Sequence, residues 1–168
     1  MIEQIIEALR WRHPEDRWVF ATEVETSTGA RWGLYDPAEK LRRIDAFAMA
    51  LWPSLGYKRV AYEIKLTRAD WLKELANPAK RSVPFLLSDE FWFVLDFDAW
   101  RMEDRERDLR SCGIMLWVKE PGKLVIQQKP YRSTLAWPMP IDFVASFLRR
   151  VRGKTMQDIY EEQGLRVG

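Results

Sequence analysis

Two acids and a lysine, Asp45, Glu63 and Lys65, lie close together in this 168-residue chain and carry groups that can take part in catalysis. The stretches that contain them are rich in strand-forming residues, and the segment 53–57 between them has the proline and glycine of a turn. Side chains alternate between the two faces of a strand, so Glu63 and Lys65 should project to the same side. If the turn centres near Leu55, Asp45 lies opposite Lys65 and within about one pleat of Glu63. We therefore expect both carboxylates on one face of a hairpin.

Charged side chains among the neighbouring Ile, Ala, Phe and Val residues are costly unless they have partners. Two carboxylates bridged by a hard divalent cation, with an ammonium beside them, satisfy this condition. Such an arrangement is suited to a magnesium-dependent site that cuts phosphodiesters. The alternative is that Glu63 and Lys65 form an inert, solvent-facing ion pair on an edge strand.

Composition narrows the chemistry further. The length suits a single domain, 1–168, and not two domains of ordinary size. The single cysteine, Cys112, excludes an internal disulfide, and the single histidine, His13, argues against a His-rich zinc site. No apolar run is long enough to span a bilayer and no secretory signal is evident, so we expect a cytoplasmic protein without a membrane partner. Catalysis would have to rest on carboxylates, lysine and hard metal ions.

Hydrophobic periodicity and turn residues predict the order helix, three strands, helix, strand, followed by a β-hairpin and C-terminal helices. This order indicates an α/β fold with one mixed central sheet flanked by helices. The core would cover about 1–128 and a helical extension about 141–164. The predicted elements are helices at 2–11, 69–76, 141–150 and 156–163, strands at 18–25, 43–49, 59–65 and 91–95, and a hairpin at 113–128.

Basic residues cluster beside the expected site. Lys40, Arg42 and Arg43 run into the Asp45 strand, and Lys80 follows the next predicted helix. Basic clusters next to a carboxylate site would attract a polyanion. The net charge of +2 is too small to establish such a partner, and ordinary solvated faces are the alternative. The candidate nucleic-acid contacts are therefore Lys40, Arg42, Arg43 and Lys80.

Asp45 followed by Glu63-Ile64-Lys65 resembles the motif of the PD-(D/E)XK nuclease superfamily, which has the restriction-endonuclease-like fold. Longer strings look like the MmcB-type group of DNA-repair nucleases, over about residues 18–128. A bare Glu-x-Lys is common by chance, whereas the string from Asp45 to Leu72 at this spacing is more specific. The strings that carry the resemblance are RRIDAFAM at 42–49, YEIK at 62–65, TRADWL at 67–72, NPAK at 77–80 and DEFWFV at 89–94.

The resemblance implies a metal-dependent DNA endonuclease with Mg²⁺ or Mn²⁺ as cofactor, acting in DNA repair, recombination or phage DNA processing. In that reading Asp45 and Glu63 hold the metal together with the backbone carbonyl of Ile64. Lys65 would orient the attacking water or help to deprotonate it, and would stabilise a phosphate oxygen.

Many members of the superfamily add a further glutamate, for which Glu7 and Glu23 are the candidates. Glu23 is preferred because its strand could neighbour the Asp45 strand, although an exposed glutamate without a role is an equal alternative. The chain departs from the group's pattern near Pro84, which argues against a helix continuing through it. DNA is the expected partner and a homodimer is left open. The rival functions are a catalytically inactive nucleic-acid-binding or complex-assembly protein with a nuclease fold, and an RNA-directed nuclease.

Overall fold

The computed structural model describes residues 1–26, 43–106, 109, 111–131 and 138–152. It confirms a mixed α/β domain in which helices flank one six-stranded sheet. The helix predicted at 156–163 lies outside the described residues. None of the helices that are described is long and apolar enough to cross a membrane. The helices are α1 (Ile2–Trp11), α2 (Arg68–Ala76), α3 (Ser82–Leu87) and α4 (Ile141–Val151), and the strands are β1 (Trp18–Glu25), β2 (Arg43–Ala50), β3 (Arg59–Lys65), β4 (Glu90–Asp96), β5 (Gly113–Val118) and β6 (Lys123–Gln128).

The strands lie in the order in which they occur in the chain, from β1 to β6. The first three are antiparallel, β3, β4 and β5 are parallel, and β6 returns antiparallel to β5 as a hairpin. Parallel neighbours need a crossover connection, and α2 and α3 lie in the connection between β3 and β4. The carboxyl end of β3 therefore leads directly into the helices that can cover it.

The register of β2 against β3 corrects one expectation. The ladder pairs Ala46 with Tyr62, and its continuation by one residue places Glu63, not Lys65, across from Asp45. The chain reverses through a 3-10 turn at Pro53–Leu55, followed by Gly56 in the left-handed conformation with φ 66°. The register centres the turn on Ser54, one residue before Leu55, and glycine accepts the left-handed position that closes the turn.

Side chains from the two faces of the sheet form separate hydrophobic cores. On one face Phe47 packs against Phe143 and Phe147 of α4, while Trp71 of α2 packs against Phe93. On the other face, the buried residues of α1 lie in a cluster with side chains of β2, β3 and β4. The central strand β4 is buried on both sides, in keeping with the apolar run 91–95 between Glu90 and Asp96.

The crossover helices differ in how well the sequence predicted them. Helix α2 was predicted at 69–76, and Thr67 caps it: the Thr67 hydroxyl accepts from the amide of Asp70 at 3.1 Å and donates to the Asp70 carboxylate at 2.8 Å. The expectation that Pro84 stops the helix is wrong, because α3 spans Ser82–Leu87. Pro84 is the third residue of α3, where the backbone amide has no intrahelical acceptor in any case.

Candidate active site

Glu63 and Lys65 lie on the same side of β3, as strand alternation predicted. Lys65 Nζ lies 2.5 Å from Glu63 Oε1, and their side chains are only 17% and 19% exposed, respectively. Strand β3 is hydrogen-bonded to β2 on one side and to β4 on the other. The pair is therefore neither on an edge strand nor solvent-facing, so the inert-pair alternative does not describe it.

Asp45 lies where the β2–β3 ladder ends. Its Oδ2 accepts a hydrogen bond of 2.7 Å from the amide of Ile64, the residue between Glu63 and Lys65. Burial raises the pKa of Asp45 above its ordinary value, and the Glu23 charge adds to this effect. The Ile64 hydrogen bond and the Lys65 ammonium oppose it. The backbone thus holds the Asp45 carboxylate beside the Glu63–Lys65 pair.

Glu63 has the more strongly perturbed carboxyl of the two. Burial, reinforced by the Asp45 charge, raises the pKa of Glu63 to about 7, even though the Lys65 ammonium works in the opposite direction. Like-charge repulsion of this kind shows that the two carboxylates interact. The charged form of such a carboxyl is unfavourable in its buried surroundings, so a nearby cation would stabilise it strongly.

Glu74 is a site residue that the sequence analysis missed. Its side chain is only 6% exposed, and Glu74 Oε2 lies 3.6 Å from Lys65 Nζ. Burial lowers the pKa of Lys65, but the charges of Glu63, Glu74 and Asp45 together raise it above its ordinary value. Lys65 is therefore held as an ammonium. The signal for Glu74 was its position three residues after Trp71, on the buried face of α2.

The predicted acids line two different clefts. The smaller cleft, of about 190 Å³, contains Glu63 and Lys65, and its cationic residues outnumber its acids, so we call it the basic cleft. The larger, of about 440 Å³, contains Asp45 and lies against α1, and we call it the acidic cleft. The charged residues of the basic cleft are Arg43, Glu63, Lys65, Glu74, Lys80 and Arg81, and those of the acidic cleft are Glu3, Glu7, Arg10, Glu23 and Asp45.

This separation corrects the expectation that Asp45 and Glu63 share one face, and a break in strand alternation explains it. Val24 and Ile44 lie in the core on the α2 and α4 face, although alternation from their neighbours would send them to the α1 face. Glu23 lies at this break in β1 and has a left-handed φ of 52°. A non-glycine residue in this region is strained, and such outliers cluster at functional sites.

The two candidates for a further acid, Glu7 and Glu23, both line the acidic cleft with Asp45. Glu23 is the one whose charge affects the pKa of Asp45, and its carboxylate also lies 3.5 Å from the Arg43 guanidinium. Its strand neighbours the Asp45 strand, as expected. These contacts favour Glu23 over Glu7.

Two of the four predicted nucleic-acid contacts, Arg43 and Lys80, line the basic cleft. Lys40 and Arg42 lie outside the described residues. Arg81, which follows Lys80 in the same basic cluster but is not among the predicted contacts, is buried and lines the same cleft. The cleft therefore brings cations from β2 and from the turn before α3 to the Glu63–Lys65 pair.

The site offers oxygen donors to a divalent cation. Within the part of the chain that the structure describes, no group of three or more His, Cys, Asp or Glu side chains has a metal-binding arrangement. Asp45 and Glu63 remain as oxygen donors, with the Ile64 carbonyl between Glu63 and Lys65 in sequence. Mg²⁺ commonly uses one or two carboxylates and completes its shell with waters and substrate phosphates. Two carboxylates and a backbone carbonyl are the donor types that such a cation takes.

Comparisons with known proteins give a fold and no activity. No protein-family model and no curated protein matches the chain. Among solved structures, the chain is similar to a protein of unknown function from Silicibacter pomeroyi, with a TM-score of 0.55 and 15% sequence identity. The similarity covers 96% of this chain and 88% of that one. It extends over nearly the whole domain and shows a shared architecture.

Proposed function

We propose that the protein is a Mg²⁺- or Mn²⁺-dependent DNA endonuclease of the PD-(D/E)XK type, with a restriction-endonuclease-like fold. The observation that carries the proposal is the Glu63–Lys65 pair, held in a cleft at the end of a central strand with Asp45 hydrogen-bonded to the residue between them. Perturbed carboxyl groups of this kind concentrate at functional sites. The antiparallel β1–β2–β3 unit, followed by the helical crossover to parallel β4, agrees with the αβββαβ core of that fold.

Asp45 and Glu63 would hold the cation together with the Ile64 carbonyl, and Glu23 is the candidate for an additional ligand. When bound, a divalent cation lowers the pKa of a coordinated water and neutralises charge that develops on the phosphate. The remaining tasks fall to the chain itself. The Ile64 amide orients the Asp45 carboxylate, and the buried environment of Glu63 disfavours its charged form until a cation is present.

Lys65 acts in this proposal as a charge and not as a base. Three carboxylates raise its pKa, so it is an ammonium at neutral pH. An ammonium next to the cleavage site donates to a non-bridging phosphate oxygen and stabilises the charge that builds up there in the transition state. Between the two roles that the resemblance allowed, orientation and deprotonation of water, the site favours orientation.

The decisive experiment incubates the purified protein with labelled duplex, single-stranded and branched DNA, and with RNA, with and without Mn²⁺. Cleavage of DNA that requires the metal, and that Glu63→Gln abolishes, is the expected result. Glu90→Gln is the matched control, because Glu90, at the start of β4, also pairs with a lysine, Lys58, which precedes β3. Cleavage of RNA alone, or cleavage that survives Glu63→Gln, contradicts the proposal.

Two observations favour a second candidate, a nucleic-acid-binding or complex-assembly protein that keeps the fold without turnover. The described residues contain no three-ligand metal group, and Asp45 and Glu63 line separate clefts. DNA binding without cleavage of any tested topology, in Mg²⁺ and in Mn²⁺, would identify this second candidate as the function.

A further inference from the structure

Arg81 is a buried cation at the wall of the basic cleft. It ends the 3-10 turn Pro78–Arg81 between α2 and α3, and only 9% of its surface is exposed. A charged side chain is rarely buried to this degree unless it is paired or serves a ligand. The small remaining exposure opens into the cleft that Glu63 and Lys65 line.

The Arg81 side chain has incomplete hydrogen bonding among the described residues. Its Nε is buried and has no acceptor. The guanidinium carbon lies 5.9 Å from the ring centroid of Phe93, a cation–π contact that fixes the side chain. The ring supplies no lone pair to the Nε–H bond, so the guanidinium keeps a donor that no described residue uses.

The charge balance of the basic cleft favours an anionic ligand. Its two acids, Glu63 and Glu74, both lie against Lys65, and Arg43 is paired with Glu23. Among the described residues, neither Lys80 nor Arg81 forms a salt bridge. The cleft therefore has two cations whose charge is not offset by a carboxylate, one exposed and one buried.

The size of the cleft limits what the anion can be. At about 190 Å³ it is smaller than the roughly 300–1,000 Å³ of clefts that enclose drug-sized molecules. A phosphate group, with its tetrahedral set of acceptor oxygens, matches both the volume and the donors. Arginine binds phosphate through several N–H groups at once, whereas lysine contributes a point charge.

We propose that Arg81, assisted by Lys80, binds a backbone phosphate of the DNA strand adjacent to the phosphate that Glu63 and Lys65 face. The inference rests on the proposed function and adds a strand-positioning residue to it. Because Arg81 lies within the same cleft as the catalytic pair, its bound phosphate sets how far the strand advances toward Glu63. Its role is to bind the strand, so its loss should weaken DNA affinity in the absence of metal as well.

The test measures DNA affinity in EDTA, as a function of salt, for the parent, Arg81→Gln, Arg81→Lys and Lys80→Gln, with Lys123→Gln on the far edge strand β6 as control. Arg81→Gln should weaken binding about tenfold and lower the salt slope by about one, because one charge-assisted phosphate contact is lost. Arg81→Lys should recover part of the affinity, Lys80→Gln should lose about threefold, and Lys123→Gln should match the parent.

A second readout separates a strand phosphate from a free phosphate. Inorganic phosphate at constant ionic strength should raise the Tm of the parent and not that of Arg81→Gln. An unchanged Kd and salt slope for Arg81→Gln, or a parent that does not bind DNA in EDTA, overturns the inference, even if phosphate raises the Tm.

If Arg81→Gln fails to fold, Lys80→Gln decides, because Lys80 is exposed: parent-like affinity then overturns the inference. The measurements also separate the two proposals. A parent that binds DNA through Arg81 but cuts nothing in Mn²⁺ contradicts the endonuclease and supports the phosphate site. If the parent cuts DNA and Arg81→Gln binds DNA with the affinity of the parent, the endonuclease proposal is supported and the phosphate site is contradicted.

Discussion

The acidic and basic clefts on either side of β3 differ in charge, size and expected partner. The acidic cleft carries four carboxylates and one arginine in about 440 Å³, whereas the basic cleft carries four cations and two carboxylates in about 190 Å³. A polyanion is repelled by the first and attracted by the second. Asp45 and Glu63 each line one of them, at the same level of the β2–β3 pair. In the proposed function, Asp45 brings the acidic cleft into the binding of the cation, and the basic cleft receives the strand.

The largest expected effect comes from removing an acid from either cleft. Asp45→Asn and Glu63→Gln should each reduce metal-dependent cleavage by on the order of a thousandfold, because loss of a metal ligand removes several kcal/mol of transition-state stabilisation. The readout is the single-turnover rate in Mn²⁺. Glu3→Gln, which changes an exposed acid of the acidic cleft, is the matched control and should cleave at the parent rate.

If Asp45→Asn retained parent activity while Glu63→Gln lost it, only the basic cleft would take part in the chemistry. That result would contradict the expected division of roles between the two clefts, because the acidic cleft would then have no role in holding a cation.

Within the basic cleft, Lys65 is expected to affect the rate of cleavage more than the affinity for DNA. Lys65→Met should lower the cleavage rate about a hundredfold and change DNA affinity in EDTA by less than about threefold, since its charge acts mainly in the transition state. Lys58→Met is the matched control, because Lys58 also makes a 2.7 Å ion pair with a glutamate. A Lys65→Met protein that cleaves at the parent rate but binds DNA poorly would make Lys65 a docking residue.

The two faces of β3 should respond to pH with opposite signs. Because the pKa of Glu63 is raised to about 7, its contribution to the free energy of unfolding is fully present below about pH 4.5 and is lost as pH rises through 7. On the α1 face, burial lowers the pKa of His13 to about 4, and its ring is hydrogen-bonded to the Tyr62 hydroxyl at 2.7 Å. Its contribution is present above about pH 6.5 and is lost as pH falls toward 4.

Urea unfolding of the metal-free protein between pH 5 and 8 checks these signs. Relative to the parent, the Glu63→Gln variant should become more stable as pH rises. Its free energy of unfolding should exceed that of the parent by on the order of 1–3 kcal/mol at pH 8. His13→Phe should be about 1 kcal/mol less stable at pH 8, because the Tyr62 hydroxyl loses its hydrogen bond to the imidazole, and this difference should shrink at pH 5. Parallel curves for all three proteins would contradict both pKa assignments.

The smallest expected effect concerns the strained residue of the acidic cleft. Glu23→Gly should raise the free energy of unfolding by about 1 kcal/mol, because glycine adopts a φ of 52° without steric cost. Glu23→Ala keeps the strain and serves as the control. The exposed Glu23–Arg43 pair is worth little. If Glu23 is also a ligand, both variants should lose cleavage; full activity in both would leave it a structural residue.

Much of this protein followed from local patterns in the sequence. Alternation along a strand is a property of the backbone, so Glu63 and Lys65 had to share a side wherever β3 was placed. The Thr67 cap of α2 depends on four consecutive residues, and the apolar run of β4 required burial on both faces. Short-range geometry of this kind needs no knowledge of the rest of the chain.

The tertiary structure decided what lies next to those residues. The register that sets Glu63 across from Asp45 depends on how the turn at Pro53–Leu55 closes, and a left-handed Glu23 cannot be read from residue types. Glu74 and Arg81 reach the basic cleft only because the helices of the crossover fold back over the end of β3. Residue types in the sequence are enough to identify the groups that are able to react, whereas long-range packing sets their neighbours, their charge states and the cleft that each one lines.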